Sequence, residues 1–279
     1  NADGSTAVTS AATDFIQGVG IVTGETKQLV FGGTLEGDLT NFGAKLPWAD
    51  SGVTGLIGYE SRTDELSRLA DDISKIPGGR GLTGTGGATL PIAGEIEVNE
   101  VFTELSIPVV QGASFAEEIG VSAGYRYSDY TTNGNGVSNS FDTDTWFAGV
   151  SWTINEEVRL RVNQSVAIRA PNVFDLYVGI NTGLVDLSTG ENGLFDPCAS
   201  APGVSPAASQ EACARTGASA AQYQAGIEDN PAGQYNLITG GNPNLVAETG
   251  ETTTFGVVYT PNWLDGLSVA VDFFDITVE

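Results

Sequence analysis

The sequence predicts an all-β protein, a fragment of an antiparallel transmembrane β-barrel with about eight strands. Segments of roughly ten residues alternate apolar and polar side chains, which is typical of strands with two different faces. Their connections differ greatly in length, and the connection at about 171–250 would be exceptional in a compact soluble domain. No stretch of about 18 apolar residues occurs, so a transmembrane helix is not expected.

The alternation is clearest from Glu118 to Tyr130, where Val121 and Tyr125 fall on one face and Arg126 on the other. We therefore expect each strand to have an apolar face and a polar face. The predicted strands are 27–39, 53–62, 96–110, 118–130, 141–154, 158–169, 252–260 and 267–274.

The connections between these strands alternate in length along the chain. Consecutive antiparallel strands place alternate connections at opposite ends of a sheet, so one end is predicted to carry short turns and the other long loops. Outer-membrane barrels have this asymmetry, with short periplasmic turns and long extracellular loops. The predicted turns are 40–52, 111–117, 155–157 and 261–266, and the predicted loops are 67–93, 131–140 and 171–250.

Aromatic side chains gather toward both ends of the predicted strands. Two clusters of this kind predict two aromatic belts at the two membrane interfaces, although the aromatics of an ordinary β-core would give the same pattern. Expected near the short turns are Trp48, Trp152, Tyr259 and Trp263, and expected toward the loops are Tyr59, Tyr127 and Tyr130.

The net charge of −24 excludes one class of partner and leaves two interpretations open. Nucleic acid is not an expected partner, because phosphate binding needs clustered Lys and Arg. Residues 171–250 contain eight Asp or Glu and one basic residue, Arg215. This local acidity favours an exposed, well-solvated loop, or a surface that attracts divalent cations.

The loop at 171–250 also contains both cysteines, Cys198 and Cys213. In an exported chain, a pair at this spacing predicts a disulfide, with two free thiols or a metal site as alternatives. Two Cys without His make a poor zinc site. Ser205 and Pro206 predict the start of a helix in this loop, and Gly217 predicts its end.

Two catalytic motifs match by letters alone. Gly120–Gly124 has the G-x-S-x-G pattern, but it lies inside a predicted strand, and the chain has no His to complete a triad. Gly79–Gly84 resembles a dinucleotide fingerprint, but more Gly and Thr follow instead of a helix, which favours a flexible loop. We therefore predict no enzymatic activity and no catalytic, cofactor or metal site.

Charged residues on the polar faces are expected to point into the lumen of the barrel. There they would pair with one another, with neighbouring strands or with a plug, because unpaired burial of charge is costly; the alternative is that they guide a substrate. Arg169, Pro171 and Asn172 form a predicted extracellular rim motif, in which Pro171 can end the strand because it has no N–H. The predicted lumen-facing charges are Glu60, Arg62, Glu100, Glu104, Arg126, Arg159 and Arg161.

Five segments in a fixed order resemble the barrel of TonB-dependent outer-membrane receptors. Arg169–Asn172 ends a strand and is followed by a long loop, and Gly241–Leu245 with Glu248–Thr249 ends that loop. Their order and spacing are more specific than any single segment, and together they span most of the chain. The other three segments are Glu100–Glu104, Gly124–Tyr130 and Val271–Ile276.

This resemblance implies energy-coupled uptake of a scarce nutrient, such as a metal–siderophore complex, cobalamin or a saccharide, across the bacterial outer membrane. The implied partners are the nutrient, outer-membrane lipid and lipopolysaccharide, and the TonB energy-transducing complex, reached through a plug domain outside this chain. A barrel of this family has about 22 strands, so residues 1–279 are expected to form part of one barrel domain without its plug. The alternatives are a passive porin, and a secreted β-rich adhesin or carbohydrate-binding module.

Overall fold

The computed structural model describes residues 8–76, 82 and 87–279. Its contacts divide the chain into two compact units. The sheet unit consists of Gly24–Arg68, Ile92–Val178 and Gly241–Glu279, and the loop unit consists of Asn1–Thr23, Leu69–Pro91 and Gly179–Gly240. Within the described residues, no helix is long and apolar enough to cross a membrane. The glycine-rich segment 79–84, predicted to be a flexible loop, lies outside these residues except for Leu82.

Most of the described chain forms strands, and the helices are short. The strands are β1 (Val22–Asp38), β2 (Thr54–Ala70), β3 (Ile92–Ala113), β4 (Ala116–Gly134), β5 (Val137–Thr153), β6 (Val158–Arg169), β7 (Asn181–Asp186), β8 (Gln234–Thr239), β9 (Glu248–Tyr259) and β10 (Val269–Val278). The helices are α1 (Ser10–Ile16), α2 (Val173–Tyr177), α3 (Gln210–Arg215) and α4 (Ala220–Ala225), with a 3-10 turn at Thr40–Phe42.

The described part of the sheet unit is one eight-stranded sheet, which confirms the predicted fold class. The strand order is β1-β2-β3-β4-β5-β6-β9-β10, so sequence neighbours pair until the long connection between β6 and β9. The pairs from β2 to β10 are antiparallel. Each predicted strand corresponds to one strand of this sheet, and β6 has the predicted bounds.

The predicted loop at 131–140 is wrong. Strands β4 and β5 extend to Gly134 and Val137 and are joined by the tight turn Asn135–Gly136, in which both residues have positive φ, 51° and 78°. Asn-Gly is the preferred sequence for such a hairpin turn, because its backbone twist matches that of the flanking strands. The strict alternation of short and long connections therefore fails at this hairpin.

The register defines which side chains share a face of the sheet. Glu60 pairs with Glu100, which pairs with Ser128, and Arg126 pairs with Thr145. We call the face that carries these residues the arginine face, because Arg62, Arg68, Arg126, Arg159, Arg161 and Arg169 all lie on it by register. The seven predicted lumen charges are therefore on one face, as the alternation predicted.

The opposite face carries the predicted apolar residues, and we call it the apolar face. Val121 pairs with Val150, and Val150 pairs with Val162. These two pairs mark the apolar band of the sheet. Toward the loops, the same face becomes acidic, with Glu65, Glu95, Glu97, Asp129, Asp142 and Asp144.

A small hydrophobic core lies on the arginine face, where α2 packs near the ends of β3 and β4. Leu176 and Tyr177 of α2 are each 1% exposed and join Ile92, Val98 and Tyr130 in this core. Tyr130 stacks on Phe141 at 4.9 Å between ring centroids. The prediction that Tyr130 belongs to an aromatic belt is therefore wrong. Its side chain lies on the arginine face, whereas that of Tyr127 lies on the apolar face.

Two glycines make room for α2. Gly94 and Gly134 are directly paired across β3 and β4, and a Cβ on either would collide with the ring of Tyr177. The backbone carbonyl of Tyr177 accepts a hydrogen bond of 2.7 Å from the Asn135 side chain. Helix α2 therefore packs against the Asn135–Gly136 hairpin, a segment that the sequence predicts as a longer loop.

The loop unit has more regular structure than the sequence suggested. Strands β7 and β8 pair antiparallel within the predicted long loop, although residues 187–233, with α3 and α4, lie between them in the chain. A helix does form in this loop, and α3 contains Cys213, but it begins after Ser209, whose side chain accepts a hydrogen bond from the Ala212 amide. The predicted start at Ser205 is therefore wrong, whereas Gly217 follows the end of α3 with a φ of 99°.

Candidate functional site

Glu100 is the most deeply buried of the predicted lumen charges, with a side chain only 5% exposed. Its carboxylate accepts a hydrogen bond of 3.0 Å from Arg126 Nη1 and one of 2.6 Å from Ser128 Oγ. The Arg126 guanidinium also lies over the Phe102 ring, 4.5 Å from its centroid. This arrangement satisfies the buried carboxylate and fixes the arginine in place.

Glu60 lies directly opposite Glu100 in the register. Like charges at facing positions destabilise a sheet, so each carboxylate needs a compensating cation. Arg126 serves Glu100, and Arg62 Nη1 lies 3.5 Å from Glu60. Arg62 also donates through Nε to Asp64 at 3.1 Å, and Asp64 accepts a further bond of 2.7 Å from Gln28 Nε2.

Of the remaining predicted lumen charges, one forms an ion pair and two do not, within the described residues. Arg161 makes a two-pronged ion pair with Asp272, at 2.9 Å from Nε and 2.6 Å from Nη2. Within the described residues, Arg159 and Glu104 have no ion pair. The structure thus brings together Glu60, Arg62, Glu100 and Arg126. Arg159 and Arg161 lie apart from them, near the start of β6, where they pair with the last residues of β5.

The predicted rim motif caps α2. The Asn172 side chain accepts hydrogen bonds from the Phe174 and Asp175 amides, and Asp175 accepts one from the Asn172 amide, so the two form a capping box. Arg169 ends β6 and lies 3.2 Å from Glu248 and 3.8 Å from Asp175. Pro171 lies two residues beyond the last residue of β6.

The two ends of the long connection are tied together within the sheet unit. The Gly241 amide donates to the Val178 carbonyl at 2.8 Å, and the Asn242 amide donates to the Asp175 carbonyl at 3.0 Å. The Asn139 side chain donates to the Pro243 carbonyl at 2.6 Å. The two motifs that suggested the receptor family, at 169–172 and 241–245, therefore meet at one point of the fold.

The described residues form, among others, two clefts on the arginine face. The central cleft, of about 470 Å³, crosses β3 to β6 and is lined by Glu100, Glu104 and Arg126. The rim cleft, of about 570 Å³, lies between β1, β2 and the segment that follows β6, and Arg62, Asp64 and Phe174 line it. Both volumes fall in the range of small-ligand sites, roughly 300–1,000 Å³.

Some residues of these sites were not predicted. Asp64 and Asp272 lie on the arginine face and each pairs with an arginine. The alternation of side chains along each strand could have identified them, because Asp64 lies on the same face of β2 as Glu60, and Asp272 on the same face of β10 as Phe274. Gln28 and Phe174 gave no comparable signal, because their importance comes from contacts between segments far apart in sequence.

In the loop unit, the predicted disulfide joins Cys198 to Cys213, with 5.9 Å between their Cα atoms. Nearby, the Asp229 carboxylate accepts hydrogen bonds from the Tyr235 hydroxyl at 2.6 Å and from the Phe195 and Asp196 amides at 2.9 Å. The Tyr235 hydroxyl, followed by these amides, holds the pKa of Asp229 below its ordinary value. In the described chain, no cluster of three His, Cys, Asp or Glu side chains is arranged for a metal ion.

Comparison with known proteins identifies the family. The family described as "TonB dependent receptor-like, beta-barrel" matches residues 3–279. This chain belongs to the TonB-dependent receptor family. The family consists of outer-membrane receptors and transporters rather than enzymes. No curated protein matched this receptor chain.

Two solved structures resemble the receptor chain. One is the siderophore receptor PirA from Pseudomonas aeruginosa, with 12% identity and a TM-score of 0.41, covering 92% of this chain and 40% of that protein. The other is the siderophore receptor PirA from Acinetobacter baumannii, with 12% identity and a TM-score of 0.39, covering 92% of this chain and 35% of that protein. The chain therefore spans well under half the length of either.

Substitution of the buried carboxylate is expected to destabilise the sheet. Glu100→Gln removes the charge that Arg126 and Ser128 solvate, and we expect a loss of about 1–3 kcal/mol in the free energy of unfolding. The matched control is Glu104→Gln, on the same strand and face but without an ion pair among the described residues, which should cost less than about 0.5 kcal/mol. Urea unfolding of the chain in detergent micelles measures both; equal effects would contradict the role given to Glu100.

Acid is expected to loosen the loop unit through Asp229. Because its folded pKa is lowered, this group stabilises the fold above its unfolded value, 3.8, and that stability is lost as the pH falls through the folded value. Protection factors of the Phe195 and Asp196 amides should therefore fall below pH 3.8, and Asp229→Asn should remove that dependence. Asp186→Asn, which alters an exposed carboxylate of the same unit, should retain it; a D229N protein with unchanged pH dependence would refute this assignment.

Proposed function

We propose that this chain forms part of the barrel of an outer-membrane receptor that imports a scarce nutrient with energy from the TonB complex. The observation that carries this proposal is the family match over residues 3–279, on a sheet that separates apolar from charged side chains. No bond of the nutrient is made or broken in this process. The chain itself contributes part of the barrel wall, the long connection at 179–240, and the central and rim clefts.

The geometry of the sheet supports a location in the outer membrane. A barrel strand needs about 9–11 residues to cross a bilayer, and β3 extends from Ile92 to Ala113. The apolar band around Val150 suits contact with lipid. The acidic end of the apolar face suits a position beyond the hydrocarbon, among polar headgroups and water.

The connections support one orientation. Short turns of outer-membrane barrels face the periplasm and long loops face outward. We therefore propose that 179–240, with its disulfide and the paired strands β7 and β8, is extracellular, and that the tight turn after Thr153 is periplasmic. The Asn135–Gly136 hairpin then lies outside despite its shortness, because β4 and β5 run well past the apolar band.

The arginine face is proposed to line the lumen. Its arginines are mostly neutralised by neighbouring carboxylates, which suits a wall that contacts water, a plug or a passing nutrient without a large excess of charge. Arg159 and Glu104 lack such a neighbour among the described residues. We propose these two as contacts for a plug or for the nutrient.

A charge on the apolar face is expected to be costly in a bilayer. Val150→Arg should reduce the free energy of folding into lipid vesicles by about 2–4 kcal/mol, because the cation would face hydrocarbon. The matched control is Ser122→Arg, at the same level of the sheet but on the arginine face, which should cost much less. Similar losses for the two variants would contradict the proposed lipid-facing and lumen-facing sides.

Transport is tested by growth. Deletion of the gene that encodes this chain should impair growth on at least one limiting nutrient, tested across iron chelates, cobalamin and oligosaccharides. The same nutrient should also fail to support a strain that has the gene but lacks TonB. Growth that depends on the gene but not on TonB would instead indicate a passive porin.

A further inference from the structure

The rim cleft combines an aromatic side chain with flat polar groups. Phe174 lines the cleft and is 46% exposed, although the Arg68 guanidinium lies 5.3 Å from the centroid of its ring. Pro171 and the core residue Ile96 extend this apolar wall. Asp64, Arg62 and Gln28 form the facing polar side.

The cations of this cleft are already neutralised. Arg62 lies 3.5 Å from Glu60 and 3.1 Å from Asp64, and Lys27 lies 3.5 Å from Glu25 and 3.9 Å from Glu65. An anionic ligand would have to displace carboxylates from both cations and would then face those displaced charges. The cleft therefore disfavours anions such as negatively charged metal chelates.

The polar groups retain capacity for hydrogen bonds to a ligand. A carboxylate offers about four acceptor positions, and among the described residues Asp64 accepts hydrogen bonds from Gln28 and Arg62. Within the described part of the chain, the Gln28 amide keeps its carbonyl oxygen and a second N–H, and Thr26 lines the same cleft. Flat side chains with several donors and acceptors can bind adjacent hydroxyl groups of one ring, while its C–H surface packs on Phe174.

We propose that the rim cleft binds an uncharged, hydroxyl-rich ring, such as one unit of a saccharide. This inference rests on the proposed uptake function and specifies the chemical class of the nutrient. Three properties carry it: a volume of about 570 Å³, an exposed aromatic wall, and a polar side whose charges are internally balanced. An anionic iron chelate fits this cleft poorly, because the cations of the cleft are already paired with carboxylates.

Calorimetric titration of the purified chain in detergent micelles tests the proposal. Maltohexaose, xylohexaose and chitohexaose serve as uncharged probes, and ferric tris-catecholate serves as the anionic probe. We expect at least one oligosaccharide to bind, with the dissociation constant raised at least tenfold by Phe174→Ala and by Asp64→Asn. The controls are Phe31→Ala and Asp142→Asn, which alter the same residue types on the apolar face and should leave the constant unchanged.

Circular dichroism confirms that each variant keeps its strand content before it is titrated. The proposal is overturned if no oligosaccharide binds, if the two cleft variants bind like the wild type, or if only the ferric chelate binds. The growth test separates this failure from failure of the proposed function. TonB-dependent growth on an iron chelate, without saccharide binding, would leave uptake in place and refute the ligand class.

Discussion

Side chains alternate between the two faces of every strand, and the pairing from β2 to β10 keeps these faces aligned across the sheet. The other features of the structure depend on this alignment. A slip of one residue in any pair would transfer all arginines of that strand to the apolar face. The register is fixed at several points by pairs that need each other, such as Arg161 with Asp272 across β9. The separation of faces, and hence any division between lipid and lumen, follows from this ladder.

The ion pairs of the arginine face serve the register more than they add stability. Most are partly exposed, and exposed pairs contribute little, usually under about 1 kcal/mol. Glu100 is the exception, because its burial makes its partners necessary. The facing pair of Glu60 and Glu100 is tolerated only because Arg62 and Arg126 lie beside it, which links four residues of three strands.

Helix α2 connects the sheet to the long connection. It fills the space above the paired glycines Gly94 and Gly134, and its backbone holds the chain that returns at Gly241 and Asn242. The connection therefore leaves and re-enters the sheet unit at a packed, hydrogen-bonded base. The rim cleft exists because Phe174 is on the side of α2 that does not enter the core.

The eight strands of the large sheet, their faces, the disulfide partners and the family could be predicted from the sequence, because these depend on local alternation, residue type and motif order. It did not predict the tight turn at Asn135–Gly136, the pairing of β7 with β8, or the burial of Tyr130. The Asn-Gly pair could have indicated the tight turn, whereas the β7–β8 pairing and the burial of Tyr130 depend on contacts between segments far apart in the chain. Only the tertiary structure brought Gln28, Asp64 and Phe174 to one cleft, because their proximity comes from strand pairing and from the packing of α2 on the arginine face.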